Sequence, residues 1–446
     1  MKIIADLHLH SKYSRAVSKQ MIPEVIAEWG RKKGINLLAT GDWTHPLWLK
    51  ELESKLEEAG EGVYKLKVRV QSSKLKREEK EPSFILSTEI SSIFSQGEKG
   101  RRIHNLVIAP SFKTVYKINN ELKKRGCNLM SDGRPIIGLS SIQLARLVWS
   151  IDKDCLIIPC HVWTPWFSMF GSKSGFDSIE ECWGEFADRI YAIETGLSSD
   201  PAANWRIKEF DDRSIVSFGD AHSPAKIGRE ATVFELDKLS FSSISKALKA
   251  RKRQCSNETM KQYNNRILYT IEFHPEEGKY HYSGHRNCNI RQSPEETKKK
   301  GAVCPVCGKP LTLGVMHRVE ELAGREEIKS VKKVNRNGLV EYYNPKDKNR
   351  PPYVMLVPLM EILSESLQVG VSSKRVQNEY ESLTKNLGSE IEILTQTKLE
   401  EIESLAGAKA AEGIKKARSG DVVIEPGFDG VFGTVKIWEK AEVKKG

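Results

Sequence analysis

No stretch of this sequence approaches the run of about 18 apolar residues that a membrane helix needs, so no membrane-spanning helix is expected. The first ten residues have neither the apolar core nor the small-residue cleavage site of a signal peptide, which points to a cytoplasmic protein with no membrane partner. Cysteine is scarce, at 8 in 446 residues, and five of these (Cys127, Cys155, Cys160, Cys182, Cys255) stand singly, several in apolar runs. Scattered thiols of that kind suit a reducing compartment rather than a disulfide framework. Repeats at solenoid period are missing as well. Apolar residues (39%) and charged residues (29%) are in ordinary proportion, which excludes a wholly disordered chain. Roughly two to four domains are expected for this length.

What is present is a localised charge. Residues 246–350 carry 23 Lys/Arg against 12 Asp/Glu, which accounts for the whole net charge of +11. A focused basic region beside neutral domains is the footprint of a phosphate-backbone binder, although a solvated basic surface has the same composition.

Short apolar or β-branched runs at 2–6, 36–40, 84–88, 104–108, 155–160, 190–194 and 214–219 alternate with helical stretches. Apolar strands separated by helices indicate a parallel sheet covered on both faces, and seven of them suit a closed α/β barrel. The polar segments 71–82 and 168–178 read as surface loops, 239–265 as a basic helical connector and 325–350 as a lysine-rich loop. Helices are expected from about 356 to 418, followed by a Gly-rich β tail at 422–438. The expected domains are a catalytic barrel at 1–240, a basic connector with a metal-binding module at 241–350, and a helical C-terminal domain at 351–446.

The acids and histidines fall at the strand ends: Asp6, His8 and His10 at the first, Asp42 at the second, Glu89 at the third and His104 at the fourth. His161, Glu194, Asp220 and His222 follow the fifth to seventh. Barrel active sites are assembled from the ends of different strands, so these side chains should converge. His8 and His10 are two apart and leave the same face of an extended segment, as do Asp220 and His222. Any one histidine could be satisfying a local hydrogen bond; the repetition at successive strand ends argues for metal. Mixed imidazole and carboxylate donors suit zinc, manganese or iron, and they are too many for one tetrahedral ion. Two or three ions are implied, a centre that generates hydroxide and clamps a phosphate ester.

His285 and Cys288, followed by Cys304 and Cys307, have the spacing of a zinc-knuckle pair. Such a site would be closed and structural, holding one zinc, with His281 and His317 as alternatives to His285. Apolar residues at helical spacing flank Gly407 in the segment 399–414. They suggest a helix-hairpin-helix element whose amides at Gly407 hold a DNA phosphate, with Lys409, Lys415, Lys416 and Arg418 in support; a plain helical hairpin fits the same pattern. Trp43, Trp48, Trp163, Trp166, Phe167 and Phe170 follow the metal motifs, where they could stack an extruded base or simply pack the loops.

Asp6-Leu7-His8-Leu9-His10-Ser11 and Gly219-Asp220-Ala221-His222-Ser223 resemble the first and last motifs of the polymerase-and-histidinol-phosphatase (PHP) superfamily. That resemblance implies a distorted seven-stranded barrel with a trinuclear phosphoesterase site, and gives His8, His10, Glu89 and Asp220 the central catalytic roles. The family's second motif reads Thr-Asp-His, whereas this chain has Gly41-Asp42-Trp43. Asp42, or alternatively His45, is left to fill the missing role, and Glu194 is a ligand, a base or a substrate contact.

The PHP motifs combined with Glu194-Thr195-Gly196-Leu197, the cysteine module and Arg350-Pro351-Pro352-Tyr353 are similar to the endonuclease Q family. The similarity implies a DNA-repair nuclease that uses zinc, manganese or magnesium. It would cut on the 5′ side of deaminated bases (deoxyuridine, deoxyinosine, xanthosine) and abasic sites. Damaged DNA is then the partner, with a sliding clamp or other repair proteins as further candidates. The rival reading, a phosphatase of a small monoester, leaves the C-terminal half and its charge without a role.

Overall fold

The computed structural model describes residues 1–67, 81–255 and 264–439, without the side chains of 253–255. The loop expected at 71–82 lies, except for its last two residues, outside the described residues. The seven expected strands form at Lys2–Asp6, Leu37–Ala39, Ser83–Gln96, Lys99–Ala109, Leu156–Pro159, Ala192–Glu194 and Ser214–Val216. Each contributes to one apolar cluster, through Ile3 and Ala5 from the first, Leu37 and Ile85 from the next two, then Leu106, Leu156, Ala192 and Val216. Burying these side chains drives the strands around a shared core, at about 25 cal/mol for each Å² removed from water.

The sheet is mixed rather than wholly parallel. Lys2–Asp6 pairs in parallel with Leu37–Ala39, which pairs in parallel with Ser83–Gln96. Lys99–Ala109 then runs antiparallel both to Ser83–Gln96 and to Leu156–Pro159. The reason is local: only Gly97 and Glu98 join the two long strands, both at φ 59°, and so tight a link can only reverse the chain. Helix Pro23–Lys33 supplies the crossover between the first two parallel strands, and helices Phe112–Lys124 and Ser141–Ile151 lie in the connection from Lys99–Ala109 to Leu156–Pro159.

The same sheet continues past residue 240. Ala231–Glu235 lies antiparallel beside Lys2–Asp6, and Arg266–Glu272 extends it. The segment 325–350, expected as a loop, instead contains the hairpin Val331–Val334 with Val340–Tyr343, joined to the sheet through Tyr353–Met355. Its signal was the turn sequence Asn335 to Gly338, with Gly338 at φ 79°. The segment 168–178 is no surface loop either: Ser168, Met169, Phe170 and Phe176 are buried. Arg318 clamps it by donating to the carbonyls of Phe170 and Phe176, both at 3.1 Å.

The cysteine module comprises a small hairpin, Ser283–His285 with Ile290–Gln292, and helices Pro294–Lys300 and Val315–Leu322. Five helices then follow between Leu359 and Ser419, as expected, and the tail forms the pair Val423–Glu425 and Thr434–Lys436.

Candidate metal centre and accessory sites

The strand ends bring the expected side chains together. His10 Nε2 is 3.0 Å from Asp220 Oδ1 and 3.4 Å from Glu89 Oε2. Glu89 Oε1 lies 2.5 Å from His104 Nδ1 and 3.2 Å from His161 Nε2. Among the described residues, three groups with metal-ligand spacing emerge at the strand ends, His8/His10/Asp220, Glu89/His104/His161 and His8/Glu89/Cys160, the last sharing one member with each of the others. His222 is beside the first group, its ring 4.7 Å from that of His10 and its Nδ1 3.6 Å from Asp220 Oδ1.

The backbone is bent to achieve this. Asp42, His161 and Asp220 adopt φ of 46°, 29° and 44°, left-handed values that are unusual for residues with a Cβ. Gly196, at φ 61°, is needed beside them, because a Cβ there would come 2.3 Å from that of His161. Asp6 has a structural part: its two oxygens accept from the N–H groups of Gly219 and Gly228, each at 2.9 Å, and so set the loop that carries Asp220.

Two carboxylates sit behind histidines. Glu194 Oε1 is 2.9 Å from His8 Nδ1, and its Oε2 accepts from His161 N at 2.8 Å. Asp42 Oδ1 is 3.1 Å from His10 Nδ1, while its Oδ2 accepts from Ser11 N and Ser14 Oγ. Carboxylates in that position fix the ring and leave Nε2 to face a cation. His45 is elsewhere, stacked on Tyr13 at 4.3 Å with its Nε2 3.3 Å from the Met130 carbonyl.

The electrostatics call for a cation. Burial opposes charge on every group here. Even so, Glu194 and Asp220 hold the His8 imidazole well above its ordinary value, and Asp42 and Asp220 do the same for His10. Burial likewise works to raise Glu89, yet the charges of His104 and Arg134 hold it well below the usual range. His104, by contrast, is lowered to about 4 by burial. Fully buried His8 Nε2 has no hydrogen-bond partner. An orphaned ring nitrogen with Glu89 Oε1 and Asp220 Oδ1 3.8 and 3.7 Å away, and Arg134 as the guanidinium on Glu89, fits divalent metal.

His285, Cys288, Cys304 and Cys307 form a further group with ligand spacing, sharing no residue with those at the strand ends. His281 and His317 are not in it; His317 Nε2 instead lies 3.3 Å from Glu321. The turn is a knuckle, with Cys304 N donating to Lys309 O and Gly308 N to Cys304 O, and Gly308 at φ 70°. Burial raises the Cys304 thiol, but the amides of Cys307 and Val306 outweigh it and bring it to about 6.

Helices Leu399–Ala406 and Ala408–Ser419 meet at Gly407, with φ 83°. Lys415 and Lys409 are both exposed, and Lys409 lies 3.9 Å from the Trp438 ring centre and 2.9 Å from Glu412. Arg418 departs from its expected role. It is 4% exposed, and its guanidinium donates to the carbonyls of Leu394, Asn337, Ile393 and Thr397, so it holds the fold together and cannot reach a phosphate.

Residues 358–421 match the MJ0043 C-terminal domain family. The chain is 33% identical over 296 residues to the uncharacterized protein MJ0043 of Methanocaldococcus jannaschii, a match spanning 64% of this chain but 33% of that protein. It is 28% identical to the uncharacterized protein YqxK of Bacillus subtilis across 98% of this chain and 99% of that one. Among solved structures, the lesion-specific endonuclease PfuEndoQ from Pyrococcus furiosus matches with a TM-score of 0.80 at 30% identity, over 99% of this chain and 98% of that chain. Endonuclease Q in complex with a 27-mer duplex substrate carrying an abasic lesion at the active site matches with a TM-score of 0.79 at 31% identity, over 100% and 99%. This chain belongs to the endonuclease Q family.

In this endonuclease Q chain the aromatics after the metal motifs divide. Trp43, Trp48, Trp163 and Phe170 are wholly buried, and Trp48 and Trp163 have their indole N–H groups satisfied by Gly41 O and Asn204 Oδ1. Four of the six are therefore core. Trp166 and Phe167 are half-buried, Phe167 with its ring 4.7 Å from His104. Arg134 is the site residue that sequence reasoning missed: it donates to Glu89 Oε2 at 2.9 Å from the loop Asp132 to Pro135. No motif marks that loop; its one signal is Gly133, where a Cβ would fall 2.4 Å from Asp42 Oδ2.

Proposed function

We propose that this protein is a lesion-specific DNA endonuclease. It hydrolyses the phosphodiester on the 5′ side of deaminated bases (deoxyuridine, deoxyinosine, xanthosine) and of abasic sites. The observation that carries this reading is the end-to-end likeness to endonuclease Q bound to an abasic duplex, in a chain whose own strand ends gather six of the expected ligands at metal-ligand spacing, with His222 beside them. The convergence of seven strands on one apolar cluster supports a distorted seven-stranded barrel as the catalytic part.

His8, His10, Glu89, His104, His161, Asp220 and His222 would hold two or three divalent ions, zinc, manganese or magnesium. Such ions, when bound, acidify water and stabilise charge on the phosphodiester in the transition state. The chain's own groups do the rest. Glu194 and Asp42 orient His8 and His10 from behind, which reassigns Asp42 from ligand to positioning residue. Arg134 holds Glu89 ionised and brings a fixed positive charge to the rim where a phosphate enters. The four-residue His285 cluster would hold a structural zinc. That module, the basic 246–350 region, the Gly407 amides and Lys409 and Lys415 grip the DNA backbone without reading sequence.

The test is cleavage of end-labelled duplexes carrying one deoxyuridine, deoxyinosine or abasic site, each with Mg²⁺, Mn²⁺ or Zn²⁺ and beside an undamaged control. A single cut 5′ to the lesion is expected. Release of phosphate from a small monoester, with no cut in any DNA, would overturn the reading.

A further inference from the structure

Phe432 is 67% exposed, the most exposed aromatic side chain among the described residues. It is not on a loose loop. The hairpin that carries it is fastened to the cysteine module by Gly427 N to Glu276 O, Gly430 N to Lys279 O, Gly433 N to Glu277 O and Tyr282 N to Gly427 O, at 2.8–3.1 Å. The fastening leaves no room for side chains at its roots, since a Cβ on Gly433 would lie 2.1 Å from Glu276 O. Lys279 Nζ sits 4.4 Å from the centre of the Phe432 ring, and Asp429 accepts from Arg286 N at 2.7 Å. Next to Lys279, Tyr280 packs edge-on at 5.5 Å against Trp166, in the loop that follows His161. A short chain of contacts thus links the exposed ring to the metal-bearing loop.

An apolar ring held rigidly in water, with exposed Lys279, Arg286 and Arg291 around it, is arranged for a partner that is anionic outside and apolar within. Duplex DNA has that chemistry, and wedges of Phe, Leu, Ile or Met between base steps are a recurrent means of unstacking it. Because the hairpin is already ordered, inserting the ring costs little additional conformational entropy. We propose that Phe432 is a wedge that enters the base stack where the lesion nucleotide leaves it, with Lys279 and Arg286 on the flanking phosphates. The role rests on the nuclease reading, and assigns to the tail the gap-filling that the buried tryptophans cannot perform.

The test compares wild type, Phe432→Ala and Phe432→Leu on one abasic-site analogue placed in a paired duplex and in an unpaired bubble. Binding to the duplex is followed in parallel through the fluorescence of 2-aminopurine next to the lesion. The ratio of paired to bubble cleavage should fall at least tenfold in Phe432→Ala and recover in Phe432→Leu. The fluorescence rise seen with wild type should be lost in Phe432→Ala. Equal losses on both substrates would overturn the wedge, and so would no loss on either, which would leave the ring to a protein partner. The fluorescence does not need catalysis: wild type that unstacks the duplex through Phe432 without cutting it would retain the wedge and remove the nuclease.

Discussion

His8 places its Nδ1 2.9 Å from Glu194 Oε1, while its Nε2, fully buried, faces the cluster with no hydrogen-bond partner. The carboxylate therefore sets the ring's orientation and frees one lone pair for a cation. Glu194→Gln keeps the shape and removes the charge. Its affinity for Mn²⁺, measured by titration calorimetry, should fall by about 10–100-fold. An unchanged affinity would mean that Glu194 does not act through His8.

Asp220 touches both His10 and His222 and lies in the left-handed backbone that ends its strand. Asp220→Ala should abolish cleavage while duplex binding stays within about threefold, because the phosphate grip lies elsewhere. Gel-shift and single-turnover assays on the same lesion duplex separate the two effects. Full activity in the variant would take this group out of the mechanism.

The cysteine cluster should behave as a structural site. In Cys304→Ser, metal analysis of the purified protein should show one zinc fewer than in wild type, with a lower thermal midpoint. DNA affinity should drop before the chemical step does. Equal zinc content in the two proteins would refute the assignment.

Burial pushes the Glu272 carboxyl up to about 8, and Glu230 beside it well above the ordinary range, despite the hydroxyls of Ser217, Thr270 and Thr195 on Glu272. A carboxyl raised on folding binds its proton more tightly in the folded state. Its contribution to stability is thus whole below the unfolded value of about 4.3 and declines as pH climbs toward 8. The thermal midpoint should be lower at pH 8.5 than at pH 6, and Glu272→Gln should narrow that gap. A gap of wild-type size in the variant would assign the dependence to other groups.

Arg418 and Lys415 lie in one helix and should respond in opposite ways. Arg418→Met strands two buried and two partly buried carbonyls and should cost about 3 kcal/mol of stability by chemical denaturation. Lys415→Ala, at an exposed position, should leave stability alone and reduce the salt slope of DNA binding by about 1. An unchanged salt slope in Lys415→Ala would remove this face from the DNA path.

The sequence by itself determined where the seven strands of the apolar cluster lie and which histidines and acids end them. Short apolar runs and two-residue spacing are local properties, and residues such as His8 and His10 can be read without knowing their neighbours. The same holds for the helices after 356 and for the knuckle, since Cys304, Cys307 and Gly308 are close in the chain. Tertiary structure decided what depends on contact across long separations. Asp42 and Glu194 face ring nitrogens of His10 and His8, at 32 and 186 residues' distance, so their orienting position has no local signature. Arg134 reaches Glu89 from a loop without a motif, and Arg418 looks like any helical cation until its carbonyls are known. Strand direction after Gly97 belongs to the same class, because an apolar run reads identically in both directions and only the turn reverses it.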